Sequence, residues 1–164
     1  MRRIALAVGL TLALAASQVF AQGFRSEISG GGSYQSLERN SAKTKIASWN
    51  IAYGYYFSAQ LVGTLGINYF KIDPGFDQTD LEVGAKYYFG TGFRRGALVP
   101  FADAAIGVSD LRDDTDMRLR IGVGAAYFLN DATSIDPSIS YVRVSTSPEK
   151  TDGFLFGVRL TVRF

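Results

Sequence analysis

Apolar and polar residues alternate with a period of two along most of the chain. The pattern is clearest at the end. Phe154, Phe156, Val158, Leu160, Val162 and Phe164 take the even positions, with Gly157, Arg159, Thr161 and Arg163 between them. A period of two marks a β-strand with one apolar and one polar face. The alternation recurs between polar or glycine-rich breaks and predicts eight strands, at 23–36, 44–57, 60–72, 79–90, 97–109, 116–128, 133–145 and 153–164. One face holds residues such as Trp49, Ile51, Tyr53, Tyr55, Ile67, Val83 and Val123. The opposite face holds Glu27, Glu82, Lys86, Asp103, Arg118, Arg120, Asp136, Arg159 and Arg163. After residue 21 no stretch reads as a long amphipathic helix.

The breaks alternate in character as well. Those at 38–43, 73–79, 110–115 and 146–152 are polar and charged, six or seven residues each; those at 58–59, 90–96 and 129–132 are tight or glycine-bearing. Four loops at one end and three turns at the other fit an up-and-down barrel with both termini at the turn end. The expected fold class is therefore all-β: an eight-stranded antiparallel up-and-down β-barrel, one domain over 22–164. Closure sets the first strand beside the last, with Glu27 near Arg159 or Arg163.

Alternation alone does not say which face is inside. A lipocalin-like soluble barrel turns its apolar face inward around a greasy ligand. A transmembrane barrel turns that face to lipid. Here the polar face mixes its charges with Gly84, Gly122, Gly124, Ser138, Ser140 and Gly157, small residues that leave room for long side chains in a narrow lumen. Aromatics such as Tyr55, Phe57, Tyr87, Phe89, Tyr127 and Tyr141 gather at strand ends, as they do at two membrane interfaces. Both features favour the transmembrane barrel, with Trp49 facing lipid. Such a sheet must close, because each unpaired amide in hydrocarbon costs several kcal/mol.

The other end of the chain agrees. Arg2 and Arg3 precede an apolar run at 4–16, and Val19-Phe20-Ala21 fits a cleavage site. This predicts a cleavable signal peptide over 1–21, cut after Ala21. The formal charge of +2 is carried by Arg2 and Arg3, so the remainder is neutral and offers nucleic acid no electrostatic footing. The sequence has no cysteine and no histidine, which removes disulfides, thiolate chemistry and the commonest general base and metal ligand. No cofactor and no metal are expected.

The segment 120–141, RIGVGAAYFLNDATSIDPSISY, resembles the penultimate hairpin of the small outer-membrane β-barrel family, which includes the membrane domain of OmpA, OmpX and the opacity-type proteins. The shared pattern is a glycine-alternating strand ending in Tyr127, a short turn with Asn130 and Asp131, and a strand ending in Tyr141. Segments 53–61 and 99–108 match more loosely, and the terminal Phe164 is similar to the residue that the assembly machinery reads in such barrels. The resemblance covers 22–164 and implies an outer-membrane protein with both mature termini periplasmic. It also implies periplasmic chaperones and the β-barrel assembly machinery during biogenesis, and outer-membrane lipid and lipopolysaccharide as neighbours. Function is less fixed, because the family's functions differ. No peptidoglycan-binding domain follows the barrel in this sequence, and the outer loops are short for an adhesin. Deacylases, palmitoyltransferases and omptin-type proteases of this architecture depend on a histidine. The expectation is a non-enzymatic, monomeric barrel with a structural, envelope-integrity or surface-interaction role. A narrow channel and a periplasmic lipocalin-like binder are the alternatives.

Three other groups bear on function. The lumen charges could line a pore or salt-bridge into a plug; eight strands leave room for side chains only, which favours the plug. The loop at 110–116 carries four Asp but lacks the glycine and terminal glutamate of an EF-hand, so a solvated loop is the simpler reading. Arg94-Arg95 in the second turn, and Lys43 and Lys45 near the first loop, could meet lipid phosphates.

Overall fold

The computed structural model describes residues 23–39, 42–73, 76–109, 116–145 and 150–164. The predicted signal peptide and its cleavage after Ala21 lie outside these residues, as does most of the acidic loop. Eight strands form: β1 (Ser26–Arg39), β2 (Ala42–Tyr56), β3 (Leu61–Asp73), β4 (Phe76–Tyr88), β5 (Leu98–Ser109), β6 (Asp116–Phe128), β7 (Thr133–Ser145) and β8 (Lys150–Arg163). Each pairs antiparallel with the next, and β8 returns to β1 to close the barrel.

The strand count and order are as expected; three of the loops are shorter than expected. Pairing runs on through Glu38↔Lys43 to Arg39↔Ala42, and β4 starts at Phe76 rather than 79. Only Asn40-Ser41 and Pro74-Gly75 therefore lie between strands where breaks of 38–43 and 73–79 were expected. β8 likewise starts at Lys150 rather than 153. Charged residues were read as loop, but Glu38, Arg39 and Lys43 continue the ladder instead. The residues left between the strands, Asn40-Ser41 and Pro74-Gly75, are of types that favour turns.

At the other end the turns are closed by side chains. Ser58 Oγ accepts from the backbone N–H of Gln60 and Leu61, and Asn130 Oδ1 from those of Ala132 and Thr133. In the longer β4–β5 connection Gly96 has a φ of 79°, which a residue without Cβ adopts at no cost.

The apolar face is outside. Trp49, Ile51, Leu65, Ile67, Val83, Ile106, Val123 and Phe156 are all exposed, and the charged face lines the lumen. A lipocalin-like binder, which needs the inverse, is not the arrangement found. Val162 departs from its strand's pattern: in register with Ile28 and Thr133, it is buried.

Candidate functional site: the lumen

The barrel's charged and aromatic side chains meet in the lumen, which is packed in layers from the turn end upward. The first layer is aromatic. Tyr88, Phe101 and Phe128 are buried there with Val62, Val99 and Ala126, and Tyr56 and Phe93 pack against them. Phe93 comes from the β4–β5 connection, which folds beneath the barrel; its ring stacks on Phe128 at 5.2 Å and meets Tyr88 edge-on at 5.2 Å.

Arg163 sits within this layer with none of its surface exposed. Its guanidinium donates to Tyr56 Oη at 2.9 Å, Tyr88 Oη at 2.7 Å and Ser134 Oγ at 3.0 Å, and lies 4.5 Å from the centre of the Phe128 ring. The weakly hydrated planar cation tolerates aromatic faces, which a compact ammonium does less well. The tyrosines in turn donate to Glu27 Oε2, at 2.7 Å from Tyr56 and 3.1 Å from Tyr88. Glu27 also pairs with Arg163 at 3.6 Å. Of its two expected partners Glu27 therefore meets only Arg163, directly opposite in the β1–β8 register.

The second layer centres on Lys86. Its Nζ lies 3.0 Å from Asp136 and 3.4 Å from Glu27, over the rings of Tyr88 and Phe101. Asp136 is completed by donation from Ser134 at 2.6 Å and Thr161 at 2.7 Å. The third layer joins Asp103 to Arg120 at 2.7 Å and to Arg159 at 3.1 Å. Arg120 continues to Glu82 at 3.3 Å, and Arg118 pairs with Glu82 at 3.4 Å and with Asp80. The guanidinium of Arg118 stands 4.2 Å over the Phe70 ring.

All nine charged residues predicted for the polar face thus enter one lumen. Asp80 was missed, although it shares the parity of Glu82 and Lys86. With it the described lumen charges stand at five acids and five bases, so the layers neutralise one another. This matters because an unpaired buried charge is far costlier than a paired one. The inward aromatics were missed as well. Among the described residues no three carboxylates converge as a metal site. Arg94 and Arg95 are exposed on the turn end, and an exposed pair of Arg143 with Asp152 at 2.8 Å ties β7 to β8 near the loop end.

Asp103 has two cations, so losing one leaves the other. Arg159→Leu should therefore lower stability by about 1–3 kcal/mol, the cost of an unmet buried polar group. Urea unfolding of the protein refolded in vesicles measures it; an unchanged midpoint would show that the third layer contributes nothing.

A closed eight-stranded sheet with an apolar exterior and an ionic interior is a transmembrane β-barrel. Its fold is that of the small outer-membrane barrels. The N-terminal β-barrel domain of Pseudomonas aeruginosa OprF superposes with a TM-score of 0.65 over 87% of this chain and 100% of that one, at 15% identity. Neisserial surface protein A matches with a TM-score of 0.65 over 87% and 98%, at 18% identity. The outer-membrane enzyme PagL matches less closely, with a TM-score of 0.51 over 84% and 99%, at 14% identity. No protein-family model and no curated protein sequence matches the chain.

Proposed function

We propose that the protein is a small, non-conducting, non-enzymatic barrel of the Gram-negative outer membrane that acts as a structural element of the envelope. In this reading the signal peptide is removed after Ala21. Chaperones and the assembly machinery deliver and insert the barrel, reading Phe164, and the turn end with both termini faces the periplasm. The loop end meets lipopolysaccharide, and the barrel works as a monomer.

The observation that carries this reading is the filled lumen. An aromatic layer, the Lys86 layer and the guanidinium layers succeed one another along the axis. Two spaces among the described lumen residues measure about 20 and 30 Å³, each room for a water or two. A barrel of this width conducts only if such layers part. The non-enzymatic reading is supported by a sequence without histidine or cysteine and by lumen carboxylates that are each engaged with a cation.

Planar-bilayer recording of the refolded barrel over 22–164 tests it. The expected result is no discrete current steps from protein shown to be folded by its shifted gel mobility. Reproducible single-channel steps would instead make it a narrow channel, with Arg118, Arg120 and Arg159 as its selectivity residues.

A further inference from the structure

The guanidinium layers are neutral in sum but lopsided along the barrel axis. Asp80, Glu82 and Asp103 meet Arg118, Arg120 and Arg159. A space of about 20 Å³ borders this group on the turn side and one of about 30 Å³ on the loop side. The lower space touches Glu27, Glu82 and Asp103 as well as Lys86, Arg120 and Arg159. The upper space touches Arg118, Arg120 and Arg159, and no carboxylate lines it. Ser33, Ser48, Ser138 and Ser140, with Asn50 and Asn68, complete its polar lining.

The unmet hydrogen-bonding groups divide in a similar way. Asn68 Nδ2 and Arg159 Nε are buried donors without a hydrogen-bond partner, and both residues line the upper space. Asn68 itself is only 9% exposed. Arg118 Nε stands 3.4 Å from Glu82 Oε1 in an ion pair but makes no hydrogen bond. The unmet carboxylate oxygens Glu82 Oε1 and Asp103 Oδ1 belong to residues that line the lower space and not the upper one. Asn50 Oδ1 is an unmet acceptor on a residue shared by both spaces. The lower space therefore suits a water that donates. The upper one offers donors and positive charge.

We infer that the upper space is a binding site for one small inorganic anion of halide size, in practice chloride. An acceptor-only ligand answers Asn68 Nδ2, Arg159 Nε and the serine hydroxyls together. Its charge lies among three guanidiniums, of which Arg118 is 5% exposed. Hydrogen bonds to an ion are about twice as strong as neutral ones. Size sets the choice of anion. A space of about 30 Å³ takes an ion little larger than a water and shuts out sulfate, phosphate and organic acids. A water there would meet the donors but leave three like charges facing one another. The ion sits above the Lys86 layer and the aromatic floor, so it is a resident of the lumen. It braces the loop-side half whether or not the barrel conducts.

Urea unfolding of the barrel in vesicles tests this at constant ionic strength, with sodium chloride replacing sodium gluconate and the folded fraction read from gel mobility. Gluconate is too large for the space. Only the folded barrel holds the ion. Above the dissociation constant, the unfolding equilibrium constant should therefore fall about tenfold for each tenfold rise in chloride. Bromide should act like chloride, and sulfate like gluconate. Gly157→Val should remove the dependence while keeping every charge. Gly157 lines the space, and a Cβ there meets Gly32 O and Ser33 Cβ at 3.5 Å and Ser138 Oγ at 4.0 Å. Those are ordinary contacts, so the added side chain fills the space without moving backbone. Asn68→Leu, which removes a donor and adds bulk, is the second variant if Gly157→Val does not fold. Crystals grown in sodium bromide should show an anomalous peak bounded by Arg118, Arg120 and Arg159. A midpoint indifferent to chloride overturns the inference and leaves the space to water; a bromide peak in that case marks an adventitious ion only. An equal response to sulfate overturns it as charge screening. A chloride response that survives both variants overturns it as binding elsewhere.

Discussion

Lys86→Met should cost the folded barrel about 3–5 kcal/mol, the range for breaking a buried ion pair from one side. Lys86 is the cation that lies between Asp136 and Glu27, at 3.0 and 3.4 Å. Methionine keeps most of the stem volume, so the loss reads charge rather than packing. Glu27 would still have Arg163 and two tyrosine hydroxyls. Asp136 would keep only the hydroxyls of Ser134 and Thr161 as close partners. The larger share of the penalty therefore falls on Asp136, and that share can be isolated. Adding Asp136→Asn removes the stranded charge while leaving an oxygen to accept from both hydroxyls. The double variant should recover about 1–3 kcal/mol, the usual coupling for groups in one network. Equilibrium urea unfolding in vesicles, monitored by Trp49 fluorescence, measures all three proteins. A loss below about 1 kcal/mol for the single variant would place Lys86 in a hydrated lumen where water replaces its partners.

The barrel was legible because period two is a strong signal when it repeats at regular intervals, and because breaks of two characters order the hairpins. Inside against outside also followed from sequence, from glycines and serines interleaved with the charges. Strand ends were less legible. Glu38 and Lys43 look like loop residues, yet they sit opposite each other in a continuing ladder. Alternation reports which face a residue takes, and it does not mark where a ladder ends.

The aromatic floor of the lumen was the main miss, and its signal was present. Tyr55-Tyr56, Tyr87-Tyr88 and Tyr127-Phe128 are adjacent aromatic pairs. Successive residues of a strand point to opposite faces, so only one of each pair can belong to the outer girdle. Tyr55, Tyr87 and Tyr127 are exposed on the outside, while Tyr56, Tyr88 and Phe128 turn inward. What strand parity could not supply is Phe93, which lies in a connection and reaches the floor through its fold.

Phe101→Ala should be as damaging as the loss of Lys86, for a different reason. Its ring is buried at the junction of the aromatic and ionic layers, 6.0 Å from Tyr88 and beneath both Lys86 at 4.7 Å and Arg159 at 5.6 Å. Gly124 faces it without a side chain, and a Cβ there would collide with the ring. Truncation in a close-packed interior costs about 3–5 kcal/mol for Phe→Ala, because the neighbours relax only in part. A wet lumen would behave otherwise: water would fill the space and hydrate Lys86, and the loss would fall well below that range. The variant therefore asks whether the interior of this membrane barrel is packed like a protein core. A double-variant cycle with Lys86→Met sharpens the answer. If ring and ammonium hold each other in place, their losses should fall short of additivity by more than about 0.5 kcal/mol. Strict additivity would mean that each layer stands alone, and that opening one would not loosen the next.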